Sequence, residues 1–197
     1  MIRIGLCKGD AIHRARQVIT AQLEHEINHS VLHHVDHKRQ VYFYLMKPRD
    51  VPKLVHDGVL DAGITLEEWV EEKGYPLHVY TSLDWCNTRI SLLAPPTHKV
   101  LDAAKKITCV TEFPNIASRF FESRGIQDYA IEHVAGSCEG FVPSIYDCAV
   151  DCVETGGTIR RHDLEEEVVI LRSRAVLVTK SDKLSVKLKR TLEGLAL

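Results

Sequence analysis

The stretch Ala149-Val-Asp-Cys-Val-Glu-Thr-Gly-Gly-Thr-Ile159 is apolar where it begins and polar where it ends. Cys148 to Val153 is short and rich in small and β-branched residues, which predicts a strand covered on both faces. Thr155, Gly156, Gly157 and Thr158 then set two hydroxyls beside two unhindered backbone positions. Successive N–H groups in such a loop can point into one concavity and hold a phosphate. Asp151 and Glu154, just before the loop, can accept hydrogen bonds from ribose hydroxyls or help hold a magnesium ion. A sugar phosphate fits this combination; a plain glycine turn between strands is the competing reading.

Length and composition set the frame for that loop. A chain of 197 residues that is 45% hydrophobic makes one domain or two small ones with an ample core. A formal charge of −2 and a pI near 6.6 give no nucleic-acid surface, although local basic spots can still bind anions. No apolar run reaches the ~18 residues that span a bilayer, and Met1 to Leu6 lacks the apolar core of a signal peptide, so the cytosol is the expected address. Cys7, Cys86, Cys109, Cys138, Cys148 and Cys152 contain no Cys-x-x-Cys pair and read as reduced core residues.

Upstream of the loop, Ile2 to Leu6 reads as a strand and Cys7-Lys8-Gly9-Asp10 as a turn into a helix over 11–27. Ligands of open α/β sheets gather at the carboxyl ends of strands, which makes Lys8 and the N–H groups near Gly9 candidates to meet an anion. His25, His29, His33 and His37 recur every four residues, with His34 between them. On one helix they would share a face, but a strand must begin before Val41 to Leu45. A solvated, partly protonated face is therefore expected rather than a metal site. In Lys47-Pro-Arg-Asp-Val-Pro52, Pro48 should hold Lys47 extended, and Asp50 with Pro52 marks a helix start over Lys53 to Asp57 ended by Gly58. Leu60 to Ile64 is a strand, and Thr65 is expected to cap a helix from Leu66 to Lys73. The alternation predicts a largely parallel sheet.

Strands are predicted at Val79 to Ser82, Arg89 to Ala94, Lys106 to Val110, Tyr129 to Val134, Val168 to Leu171 and Ala175 to Thr179. Helices are predicted at Ile116 to Ser123, stopped by Gly125, at Gly140 to Tyr146, and from Lys183 to Leu195, where Leu184, Leu188, Leu192 and Leu195 line one face. Pro95-Pro96 marks a boundary. The expected organisation is a first lobe of 1–94 with 172–197 and a second of 95–171, joined by two crossings around a ligand cleft.

These segments, taken in order, resemble ATP phosphoribosyltransferase. Ile4-Gly-Leu-Cys-Lys-Gly9 is similar to the family's N-terminal strand and Pro-Lys-Gly loop. Lys47-Pro-Arg-Asp-Val-Pro-Lys-Leu-Val55 with Asp57-Gly-Val-Leu-Asp-Ala-Gly-Ile-Thr65 is the strongest piece. Asp84-Trp-Cys-Asn-Thr-Arg89, Phe113-Pro-Asn115, Gly136-Ser-Cys-Glu139 and the phosphoribosyl-pyrophosphate loop at Asp151 to Ile159 follow in the family's order. The resemblance implies an α/β fold with two lobes of the type II periplasmic-binding-protein kind and a cleft between them. It implies transfer of a phosphoribosyl group from phosphoribosyl pyrophosphate to N1 of ATP with magnesium pyrophosphate leaving, the first step of histidine biosynthesis. It also implies the short catalytic form, a homo-oligomer working with a separate regulatory subunit related to histidyl-tRNA synthetase.

Under that resemblance, residues 155–158 take the 5′-phosphate and Asp151 or Glu154 the ribose hydroxyls, while Gly9, Asp50 and Glu139 stand in matched substrate-binding segments. Lys8, Arg49 and Arg89 are the candidate cations for the polyphosphates, and magnesium is held mainly by substrate oxygens. No general base is demanded, because adenine N1 is already a nucleophile. Asp10 and Glu112 stand where the family usually has Arg and Lys, and His162-Asp163 replaces its usual Asn-Gly. A different purine acceptor, or a non-catalytic paralogue that binds a nucleotide or sugar phosphate, would use the same loop.

Overall fold

In a computed structural model of the chain, the described residues are 1–8, 31–97, 99–102 and 105–195. Gly9, Asp10, His25, His29 and the helix expected over 11–27 lie outside them. The chain divides into two units, Met1–Cys86 with Arg174–Leu197, and Asn87–Ser173.

The first unit is built on a sheet of six strands in the order β2-β3-β1-β4-β11-β5. These are β1 (Ile2–Cys7), β2 (His33–Asp36), β3 (Val41–Met46), β4 (Ala62–Leu66), β5 (His78–Ser82) and β11 (Ala175–Thr179). The sheet is mixed rather than largely parallel: β1 runs parallel to β3 and β4, whereas β2, β11 and β5 pair antiparallel. Successive strand residues face opposite sides, so each side acquires its own core. Ile4, Leu6, Phe43, Ile64 and Leu177 pack on one side with Leu192 and Leu195. Val176 and Val178 pack on the other with Val51 and Val55.

Helix α1 (Val51–His56) owes its seat on the sheet to a missing side chain. A Cβ on Gly63 would fall 2.4 Å from Val51 Cγ1, so only glycine lets the helix come this close. Pro48 acts as expected, leaving Lys47 extended at φ −68°, ψ 140° before a 3₁₀ turn at Pro48–Asp50. Thr65 does not cap the next helix. It remains in the β4 ladder opposite Val176, and its hydroxyl donates to the Pro48 carbonyl over 2.8 Å. Helix α2 (Glu67–Lys73) starts after Leu66, with the Glu67 N–H donating to the Arg174 carbonyl. The last helix (Val186–Glu193) is shorter than its leucine repeat predicts, because Ser185 caps it by accepting from the Leu188 N–H over 3.2 Å.

The second unit holds five strands in the order β10-β6-β9-β7-β8. They are β6 (Thr88–Ala94), β7 (Ile107–Thr111), β8 (Tyr129–His133), β9 (Cys148–Val153) and β10 (Glu165–Ser173). β9 sits at the centre, parallel to β7 and antiparallel to β6, and is buried along nearly its whole length, as its composition predicts. Helix α3 (Pro114–Ser123) covers the sheet with Ile116, Ala117, Phe120 and Phe121. The first unit ends at Cys86, ahead of the Pro95-Pro96 break, because β6 hydrogen-bonds to β9 and β10 in the second sheet. The helix expected over Gly140 to Tyr146 is instead a 3₁₀ turn at Cys138–Phe141. Pro143 explains the stop, since the residue before a proline avoids helical angles and Val142 is extended at φ −104°, ψ 134°.

Candidate functional site

Strand β9 carries Val153 to the end of the buried sheet, where the chain turns through Glu154, Thr155 and Gly156 into helix α4 (Gly157–Arg161). Gly156 makes the turn at φ +72°, in the left-handed region that side chains disfavour. Ile159 anchors the far end by packing with Val153 and Leu164. The result is a pocket of about 280 Å³ lined by Thr88, Glu139 and residues 152–159. That volume lies at the small end for ligand sites and suits a pentose phosphate better than a whole nucleotide.

Cations hold the loop from behind. Arg89 on β6 donates from Nε to Glu166 Oε2 over 2.6 Å and from Nη1 to the Glu154 carbonyl over 3.2 Å. Arg160 Nη2 donates to the Thr155 carbonyl, and Arg161 Nη2 to Thr158 Oγ1, both over 3.4 Å. Arg160 and Arg161 were not apparent as loop partners from the sequence. Spacing was an available signal for Arg161 alone, which follows Thr158 by three on a helix, whereas Arg160 meets Thr155 five residues back.

Beside the loop stand two buried carboxylates. Asp151 accepts from the Cys152 N–H over 2.7 Å, and the Cys138 thiol and N–H also reach it. Burial nevertheless pushes its carboxyl up to about 6, with the charge of Glu139 adding to the effect. Burial first, then Asp151, pushes the Cys138 thiol up to about 12, and Glu139 and Glu112 contribute. Glu112 therefore adds negative field to this corner, where a lysine would have removed it. The Cys138 thiol is protonated and structural.

Of the sequence candidates, Glu139, Glu154, Thr155, Gly156, Gly157 and Thr158 share the pocket, Asp151 adjoins it through the N–H of the lining Cys152, and Arg89 touches the Glu154 carbonyl. Lys8, Arg49 and Asp50 belong to the first unit. Lys8 is exposed beyond β1 with its N–H on the Met46 carbonyl, Arg49 lies in the 3₁₀ turn, and Asp50 precedes α1 without a side-chain cap bond. His33 and His34 are consecutive in β2 and His37 is in the turn after it, so these three do not line a helix. Among the described residues no group of three or more His, Cys, Asp or Glu could hold a metal, and no helix is long and apolar enough to cross a membrane.

Comparison with known proteins agrees with this anatomy. An ATP phosphoribosyltransferase from Caldicellulosiruptor saccharolyticus is 30% identical across 99% of this chain and 95% of its own length. One from Koribacter versatilis is 32% identical over 80% of this chain, which spans only 57% of that longer relative. Among solved structures, the ATP phosphoribosyl transferase (HisG:HisZ) complex from Thermotoga maritima superposes with a TM-score of 0.85 at 24% identity, covering 99% of this chain and 96% of that one. The alkanesulfonate-binding protein SsuA from Xanthomonas axonopodis pv. citri shares the fold at a TM-score of 0.59 and 10% identity, over 98% of this chain and 71% of that one, which supports the periplasmic-binding-protein class. With the family model for HisG, ATP phosphoribosyltransferase, matching residues 47–196, the chain belongs to the ATP phosphoribosyltransferase family, transferases that act at the first step of histidine biosynthesis.

Proposed function

We propose that the pocket after β9 receives phosphoribosyl pyrophosphate and that the chain transfers its phosphoribosyl group to N1 of ATP. The supporting observation is the left-handed turn at Gly156 in a loop that lines a pocket of about 280 Å³. The loop's amides, with the Thr155 and Thr158 hydroxyls, take the 5′-phosphate. Glu139 and Asp151 accept from the ribose hydroxyls, which fixes the sugar ring. Arg89 acts on the loop, because its guanidinium is already engaged by Glu166 and the Glu154 carbonyl.

In the reaction the bond from C1′ to the pyrophosphate oxygen breaks and the bond from adenine N1 to C1′ forms. Positive charge develops at C1′ and negative charge on the leaving group, so positioning and charge neutralisation supply the rate enhancement. Magnesium held by the donor's own oxygens would supply charge neutralisation for the pyrophosphate. Apart from the Cys152 thiol, the pocket's polar side chains, Glu139, Glu154 and the threonines, offer oxygen, the ligand type a hard cation takes.

Two further expectations join this reading. A regulatory subunit related to histidyl-tRNA synthetase is supported by the Thermotoga structure being a HisG:HisZ complex. A cytoplasmic address is supported by the biosynthetic family. Calorimetry with phosphoribosyl pyrophosphate and magnesium, followed by the absorbance of the N1-substituted adenine product after adding ATP, tests the central claim. Donor binding with product formation is expected. Donor binding without pyrophosphate release for any purine would reduce the chain to a binding paralogue.

A further inference from the structure

We infer that Arg160 is a positioning residue for the donor's 5′-phosphate and not a ligand of it: its guanidinium fixes the peptide between Thr155 and Gly156 so that the loop's N–H groups stay turned to an anion. Two successive carbonyls of the loop are held by cations from two different elements. Arg89 on β6 holds that of Glu154 through Nη1 over 3.2 Å, and Arg160 on α4 holds that of Thr155 through Nη2 over 3.4 Å. In a trans peptide the N–H points opposite to its carbonyl, so the N–H groups of Thr155 and Gly156 point away from the guanidinium that holds each peptide. Neither N–H donates to a backbone carbonyl among the described residues. Thr155 and Gly156 line the pocket whereas neither arginine does, which leaves the pocket as the side for the free N–H groups.

The loop needs such a hold because of its glycine. Gly156 adopts φ of either sign with little cost, so the peptide before it is free to rotate unless its carbonyl is tied. A rotated peptide would aim the Thr155 carbonyl where its N–H partner now points, and a carbonyl offers only lone pairs, which repel a phosphate. The same glycine makes the hold possible. A Cβ at residue 156 would lie 3.2 Å from Arg160 Nη1, so a missing side chain leaves the guanidinium its place against the turn. Arg160 is itself tied to the turn by its main chain, whose N–H donates to the Gly156 carbonyl over 3.3 Å. Its side chain is exposed, so removing the guanidinium takes nothing from the core around Ile159.

This inference rests on the reading of the pocket as the donor site, and the test separates the two. Binding of ribose 5-phosphate, and of phosphoribosyl pyrophosphate with magnesium, is measured by calorimetry on the full chain for wild type and Arg160→Met, at low salt and at about 0.5 M salt. Methionine keeps an unbranched stem and removes the guanidinium. It is expected to weaken both compounds about fivefold relative to wild type at either salt, with the melting midpoint unchanged. In Arg160→Ala, added methylguanidinium is expected to restore most of the lost affinity. Unchanged affinity in Arg160→Met, or failure of the rescue, overturns the inference alone. A loss that fades at high salt assigns Arg160 to attraction of the phosphate through space and overturns the positioning role, and a loss matched by a lower melting midpoint makes it a structural residue and does the same. A folded wild type that binds neither compound overturns the donor-site reading, and this inference with it.

Discussion

Arg89 on β6 and Glu166 on β10 form a two-point ion pair, and the guanidinium atom left over holds the carbonyl of Glu154. The side chains are only 27% and 19% exposed, so the pair is better shielded than a surface salt bridge and its loss should cost about 2 kcal/mol. Glu166→Gln is expected to lower stability and to loosen the loop, raising the dissociation constant for the donor. Arg89 holds the Glu166 carboxyl below its ordinary value of 4.5. A depressed carboxylate contributes stability above its unfolded value and loses it as pH falls through its folded value. The stability difference between wild type and Glu166→Gln should therefore be full near pH 7 and shrink below about pH 4.5, as read from urea midpoints across that range.

The two glycines of the loop should separate fold from binding. At Gly156 a Cβ meets a φ of +72° and lies 3.2 Å from Arg160 Nη1. Gly156→Ala should lose about 1–2 kcal/mol of stability as well as donor affinity. At Gly157 a Cβ would be in ordinary contact, 3.6 Å from Thr155 Oγ1. Gly157→Ala should retain the wild-type melting midpoint and weaken the donor only, by crowding the approach of the phosphate. Equal melting losses in the two variants would show that the turn is not what sets them apart.

What the sequence disclosed depended on whether a residue's partners were local. β9 could be read from Cys148 to Val153 because burial on both faces leaves a run of small and β-branched residues, and the loop after it because glycines at a turn are a local requirement. β10 was underread because Glu165, Glu166 and Glu167 resemble a polar loop. Each is claimed from afar, Glu165 by Lys99, Glu166 by Arg89 and Glu167 by the N–H groups of Val100 and Leu101. Thr65 carried a cap signal that the β4 ladder overrode. Thr88 gave no signal at all, because its place on the pocket lining comes from the β6–β9 register and not from its neighbours in sequence.

The closing helix should be held by its buried face more than by its cap. Leu192 is fully buried in the core on the side of Ile4, Phe43 and Leu177, so Leu192→Ala should cost about 2–5 kcal/mol. Ser185→Ala removes only the cap and should cost about 1 kcal/mol. Chemical unfolding of both variants checks the order, and a Ser185 effect exceeding that of Leu192 would mean the helix is held by its end and not by its face.

With the pocket read as the donor site, Asp151 should tie binding to pH. Its carboxyl is pushed up to about 6 from the ordinary 3.8, by burial first, so the fold prefers it protonated. A group whose folded value is raised contributes stability that is full below its unfolded value and is lost as pH rises through its folded value. Wild-type stability relative to Asp151→Asn should accordingly decline between about pH 4 and pH 7, because asparagine has no proton to lose. Donor binding should run the opposite way. Ribose hydroxyls are donors and favour the ionised carboxylate, so affinity should rise through about pH 6 in wild type and stay flat in Asp151→Asn. Calorimetric affinities for phosphoribosyl pyrophosphate at pH 5, 6, 7 and 8 in both proteins decide the matter. A rise of the same size in the asparagine variant would assign the titration to the donor's own phosphate and remove Asp151 from the sugar contact.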